Sequence, residues 1–177
     1  FSLLTGLSVI IGYALLGATW LIWKTDGYVQ DRAFEFAQRL TLVLIACIGA
    51  VSLWTPFINA LYFARWFQWP TAIFSVLVPV LVAGCAFLIW RGLRDGRNLQ
   101  PFLAALGLFV LGFAGIGISF YPYIVPGALT IKEAAAPDAS LSFLLVGAAI
   151  LVPIVLAYTA YAYWVFRGKV VEGEGYH

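Results

Sequence analysis

An all-α architecture embedded in a lipid bilayer follows from three features of this chain: its apolar bulk, the length of its apolar runs and the placement of its cations. Hydrophobic residues make up 63% of the 177 and charged residues 10%, where a water-soluble domain carries roughly a quarter charged residues. No soluble core could hide that much apolar surface, so the solvent of this fold is lipid. A transmembrane helix needs about 20 apolar residues to cross a hydrocarbon core roughly 30 Å thick. Five segments meet that length without an Asp, Glu, Lys, Arg or His: Leu3 to Trp23, Leu40 to Ala64, Thr71 to Trp90, Phe102 to Tyr121 and Leu141 to Phe166. Their backbones must satisfy their own hydrogen bonds, and such uniform runs lack the alternation of barrel strands.

The first span follows Phe1 without the basic flank of a secretory signal, so it reads as a helix rather than a cleaved leader. The chain contains no Met and begins at Phe1; it is expected to be part of a longer polypeptide, with an intact mass well above 19.4 kDa. Between the first two spans, Lys24 to Arg39 is the most charged connection. Asp31 and Glu35 stand four residues apart and Arg39 follows Glu35 by four, a spacing that predicts a surface helix with a Glu35–Arg39 ion pair. Phe34 and Phe36 would dip that helix into the interface. Pro56, Pro79 and Pro153 fall inside spans two, three and five, where kinks are expected. The stretch from Tyr121 to Ser140 holds Pro122, Pro126 and Pro137, which predicts a stiff loop, with Asp138 or Ser140 capping the last helix.

Small residues gather as Ala14, Gly17 and Ala18, as Gly107, Gly112, Gly115 and Gly117, and as Gly147, Ala148 and Ala149. Close packing between helices accounts for them. Trp20, Trp23, Trp66, Trp69, Trp90 and Trp164 lie near span ends, as an interfacial belt requires; Trp54 alone sits deep. Five spans place alternate connections on opposite sides. One side receives Lys24, Arg32, Arg39, Arg91, Arg94, Arg97, Arg167 and Lys169, and the other only Arg65 and Lys132. That split of eight to two supports the helix count and puts the C-terminal tail in the cytoplasm. The net charge of +2 is too small to suggest nucleic-acid binding.

Chemistry inside the spans is sparse. Haem iron takes His, Met, Cys or Tyr as axial ligand, yet His177 closes the tail and Met is absent, so bis-His and His/Met haems are excluded from this segment. Cys47 and Cys85 lack basic neighbours to hold a thiolate, and packing is their better account. The segment is expected to bind no cofactor of its own. All eight carboxylates lie in loops or the tail, whereas proton relays and ion-coupled transporters place titratable groups within the membrane. Two candidates remain. Asn59, one turn after Pro56, can bond across helices or satisfy carbonyls freed by the kink. Asp31 and Glu35 either belong to a solvated surface helix or line a proton entrance.

Three stretches carry a resemblance. GYALLGATWLIWKTDG from Gly12 to Gly27, SFYPYIVPG from Ser119 to Gly127 and VPIVLAYTAYAYWVFRGKV from Val152 to Val170 resemble, in order and spacing, subunit II of the cytochrome bd-type quinol oxidases. The match covers the whole chain. The resemblance implies the C-terminal five helices of a nine-helix subunit, including one four-helix bundle, in the bacterial inner membrane. It implies a haem-bearing subunit I as partner, with a small single-helix subunit as a further candidate. The complex would contain two b-type haems, one haem d and quinone, oxidise quinol and reduce dioxygen to water with generation of a proton gradient. The family's Trp-Asp-Gly-Asn-Glu motif has no counterpart here, no catalytic residue carries over, and the cyanide-sensitive and cyanide-insensitive branches both stay open. Half of a transporter, or a non-catalytic anchor in another respiratory complex, are the alternatives.

Overall fold

The computed structural model describes residues 1–58, 71–125 and 128–170. In chain order its elements are α1 (Ser2–Lys24), α2 (Tyr28–Ile58), α3 (Thr71–Arg94), α4 (Gln100–Phe120), a short hairpin of β1 (Tyr123–Val125) and β2 (Leu129–Thr130), a one-turn α5 (Ile131–Ala134) and α6 (Asp138–Val165). Five of these helices are long and apolar enough to cross a membrane. The predicted all-α membrane fold with five spans is therefore what is found. The chain divides into two compact units, residues 1–119 with 169 onward, and residues 120–168.

In the first unit α1 to α4 share one buried cluster, which makes them a four-helix bundle. Leu15, Ala18 and Ile22 of α1 meet Ala33, Ala37 and Leu44 of α2, Ile89 and Leu93 of α3, and Ala104, Ala105 and Leu108 of α4. In lipid, apolar transfer drives this packing little, so close approach of small residues must supply the contact. Thr19 and Thr41 are buried with them, and each hydroxyl donates within its own helix: Thr19 to the carbonyls of Leu15 and Leu16, Thr41 to that of Ala37. Their polarity costs nothing unpaired.

Which small residues make the contacts differs in part from expectation. A Cβ on Gly107 would meet Cys85 Sγ at 3.1 Å and one on Gly115 would touch Val78, but Gly17, Gly112, Gly117 and Gly147 face open space. Gly107 is joined as a close-approach position by Gly12 and Gly92. A Cβ there would lie 3.2 Å from Phe109 Cζ and 3.0 Å from Pro101 Cγ.

The largest departure concerns α2. No separate surface helix precedes the second span: one continuous helix of 31 residues starts at Tyr28, about 46 Å long and so longer than the hydrocarbon core. Residues 28–39 contain no Gly or Pro to break it, and Ala33, Ala37, Thr41 and Leu44 continue one buried stripe from the charged turns into the span. The turns at this end of the bundle are tight. Gly27 and Gly96 take positive φ of 68° and 66°, which L-residues with a Cβ resist. At the second, the Arg97 N–H donates to the Gly92 carbonyl at 2.9 Å, the long bond of a Schellman motif. Helices α3 and α6 run continuously through Pro79 and Pro153.

In the second unit β1 and β2 pair antiparallel, with Tyr123 opposite Thr130 and Val125 opposite Leu129. The expected stiff loop is thus a hairpin leading into α5. Neither Asp138 nor Ser140 caps α6 through its side chain. The Pro137 carbonyl accepts from the Ser140 and Leu141 N–H groups instead, and Asp138 sits in the first turn, where its charge favours the helix dipole. No residue of α6 is buried.

Candidate functional site

The end of the bundle that gathers the basic turns is the most chemically elaborate part of the described structure. It begins with the sequence Trp-Lys-Thr-Asp-Gly. At the end of α1 the Thr25 N–H and hydroxyl both bond to the Leu21 carbonyl, Gly27 reverses the chain, and Gln30 Nε2 donates back across the turn to the Ile22 carbonyl at 2.8 Å. Two groups on this turn then engage residues far along the chain. The Val170 N–H donates to the Lys24 carbonyl at 2.8 Å, and Lys169 Nζ lies 2.6 Å from Asp26 Oδ1. Half-exposed ion pairs contribute about 0–1 kcal/mol, so the pair sets register more than it stabilises. Sequence reasoning singled out both segments but nothing in their spacing showed that they meet.

Aromatic rings surround the cations at this level. Lys24 Nζ lies 4.3 Å from the Trp23 ring centre and 5.5 Å from that of Trp20, and Phe102 of α4 stacks on Trp23 at 5.6 Å. Arg94 covers Trp90 at 5.5 Å. In the second unit Arg167 covers Trp164 at 4.9 Å. Cation–π contacts of this kind contribute roughly 0.5–1 kcal/mol where exposed, and in each unit they hold a tryptophan against a cation. Trp66 and Trp69 lie outside the described residues, and Trp54 is exposed on α2.

Asp31 and Glu35 both lie on the exposed face of α2, away from the Ala33–Ala37 stripe. Glu35 pairs with Arg32 at 3.0 Å rather than with Arg39, because three residues back along the helix is as near as four forward. Neither carboxylate lines the groove between α3 and α4 or the one along α6. Asn59 lies outside the described residues. In the second unit, Glu133 forms a capping box: its Oε2 accepts from the Thr130 N–H and hydroxyl, each at 2.8 Å. These bonds, the backbone one foremost, hold the Glu133 carboxyl below the usual carboxylate range.

Among the described residues the two cysteines of the spans sit in packing positions. Cys47 is buried in α2, Cys85 seats its sulfur against Gly107, and no cluster of three His, Cys, Asp or Glu residues occurs among the described residues. Two open grooves are present. One, about 570 Å³, runs between α3 and α4 beside Cys85, Leu88, Arg97, Gln100 and Leu103. The other, about 700 Å³, follows a single face of α6 from Ala139 to Val152.

The bundle's membrane-spanning stretches carry no charge, its ion pairs gather at one end, and the Lys-Thr-Asp-Gly and Gly-Lys-Val segments are in contact there. Residues 1–166 match the family profile of cytochrome bd terminal oxidase subunit II. The chain belongs to this family. It is 26% identical over 181 residues to cytochrome bd ubiquinol oxidase subunit 2 of Bacillus subtilis (strain 168), covering 98% of this chain and 52% of the relative. With cytochrome bd-I ubiquinol oxidase subunit 2 of Escherichia coli (strain K12) the identity is 22% over 210 residues, covering 98% and 54%. The chain therefore spans about half the length of the curated relatives it matches. As a bd oxidase subunit II chain it is a multi-pass membrane protein of an oxidoreductase family.

Proposed function

We propose that this chain forms the C-terminal half of subunit II in a bd-type terminal quinol oxidase, working as a scaffold that binds no haem itself. Subunit I carries two b-type haems and haem d, quinol is oxidised near the opposite membrane face, and dioxygen is reduced to water with protons taken from the cytoplasm. The basic turns and the tail face that compartment across the bacterial inner membrane. The observation that carries the reading is the family match over residues 1–166, joined to spans that hold no His, Met or charged residue. Such spans suit a dry, low-dielectric wall beside a haem-bearing partner and leave redox chemistry to that partner. The apolar faces left uncovered, α6 above all, would meet subunit I, lipid and quinone, and a small single-helix subunit is a further candidate partner.

Affinity isolation of the chain from native membranes tests this. The expected preparation shows haem b and haem d absorption and quinol-dependent oxygen uptake. A preparation without haem, or one that exchanges a solute, would return the chain to the transporter or anchor alternatives.

A second, narrower reading gives Asp31 and Glu35 a role in proton entry. Their exposure on the basic face of α2 suits capture of protons from water but supplies no route inward. Asp31→Asn with Glu35→Gln should slow proton uptake if they serve this; unchanged turnover and uptake removes the idea. For Asn59 the proposal is an interhelical amide bond, and Asn59→Leu should weaken the fold rather than turnover.

A further inference from the structure

The groove between α3 and α4 is apolar along its length and cationic at its mouth, a combination that neither helix packing nor oxidase chemistry requires. Leu88 and Cys85 of α3 form one wall and Leu103 and Ala104 of α4 the other, with Arg97 and Gln100 at the open end. On α3 the lining runs from Leu88 to Cys85, about 5 Å of helix rise, and Cys85 stands about 13 Å along the axis from Arg94, so the inner end of the groove reaches the hydrocarbon layer. Its volume of about 570 Å³ falls in the range of small-molecule clefts, roughly 300–1,000 Å³.

The mouth is built rather than incidental. Gln100 Nε2 donates to the Leu88 carbonyl at 3.1 Å, and its Oε1 accepts from Arg97 Nη1 at 2.8 Å. This relay anchors the guanidinium to α3 across the groove's opening. The Schellman bond from Arg97 N–H to the Gly92 carbonyl and the contact between Gly92 and Pro101 fix the turn beneath it. Asp95 lies 3.7 Å from Arg97 Nε and 3.5 Å from Arg91 Nε. One carboxylate against Arg91, Arg94 and Arg97 leaves the turn two positive charges in excess (3 − 1 = 2). Arg94 over Trp90 marks the depth as that of lipid headgroups.

We propose that this groove is a specific binding site for an anionic phospholipid of the leaflet facing the basic turns. An acyl chain would lie along Cys85, Leu88 and Leu103, and its phosphate would take the guanidinium donors of Arg97 that Gln100 and Asp95 leave available. Bidentate guanidinium–phosphate geometry suits this head, and each cation near a membrane surface is worth about fivefold in affinity for anionic lipid. The site stands on membrane embedding alone and does not depend on the oxidase assignment.

The test uses the intact complex containing this chain, delipidated in mild detergent and titrated with phosphatidylglycerol or phosphatidylcholine. Bound lipid is read by native mass spectrometry, and protection of the Cys85 thiol by reaction with an apolar maleimide. The expected result is a retained phosphatidylglycerol adduct that protects Cys85, about fivefold weaker in Arg97→Gln and lost in Leu103→Trp, which fills the groove. Lys132→Gln, in the second unit, should change nothing. Equal retention of phosphatidylcholine, an unchanged adduct in both groove variants, or an isoprenoid quinone in its place would overturn the proposal. Should Arg97→Gln fail to assemble, Leu103→Trp decides alone, through loss of the phosphatidylglycerol adduct in native mass spectrometry.

Discussion

Two glycines of α3 should respond to the same substitution with opposite sign. Gly84 has nothing within 4 Å of where a Cβ would stand. Gly84→Ala therefore keeps only the backbone benefit of Ala over Gly in a helix, about 0.5–1 kcal/mol of stabilisation. At Gly92 the added carbon would meet Pro101 Cγ at 3.0 Å, Pro101 Cδ at 3.1 Å and Gln100 Cγ at 3.4 Å. The proline ring cannot swing aside, and the Schellman bond pins the turn, so the two helices must part. Overpacking of this kind costs about 1–3 kcal/mol, which less the same backbone benefit leaves Gly92→Ala about 0.5–2 kcal/mol less stable than wild type. The two variants should thus differ by about 1–3 kcal/mol, a factor of roughly 5 to 150 in the unfolding constant. Steric trapping or denaturant unfolding of all three proteins in one detergent measures it. Equal stability of Gly84→Ala and Gly92→Ala would refute the close α3–α4 approach on which the bundle geometry depends.

Breaking the Asp26–Lys169 pair by either Asp26→Asn or Lys169→Gln should cost less than about 1 kcal/mol. A double-mutant cycle should nonetheless return a coupling between positions 143 apart in sequence, and zero coupling would argue against the contact. The Glu133 cap should respond to acid. Because its folded carboxyl titrates below the ordinary value, the cap's contribution is present above the unfolded carboxylate range and is lost as pH falls through the folded value. Protection of the Thr130 amide, taken relative to its intrinsic exchange rate at each pH, should fall over that window in wild type and stay constant in Glu133→Gln.

Much of the architecture could be read from hydropathy because lipid imposes a simple demand: uncharged runs of spanning length, closed on their own hydrogen bonds. Less could be read where helix ends meet water. The charged residues from Asp31 to Arg39 argued for an interfacial segment, yet Ala33, Ala37, Thr41 and Leu44 already formed a single stripe at helical spacing. That stripe was the signal for one continuous α2. Small residues announced close packing without saying where, since Gly12 and Gly92 bind their neighbours through Phe109 and Pro101 while the richer cluster at Gly112 and Gly117 faces outward. The capping of α6 by the Pro137 carbonyl had no sequence mark. Nor could spacing show Lys169 reaching Asp26, because contacts of that separation depend on how the intervening helices return. At the candidate site, Asp31 and Glu35 belong to a charged stretch that the sequence shows, but their outward direction depends on the face that α2 buries.

The account rests on the basic turns sharing one membrane face, and sided cysteine labelling tests that most directly. On a Cys47→Ser, Cys85→Ser background, Arg32→Cys, Arg97→Cys, Arg167→Cys and Lys132→Cys are treated in intact cells with an impermeant maleimide. The account predicts that Lys132→Cys alone labels from outside and that the other three label only after the membrane is opened. Outside labelling of any of those three alongside Lys132→Cys would contradict it.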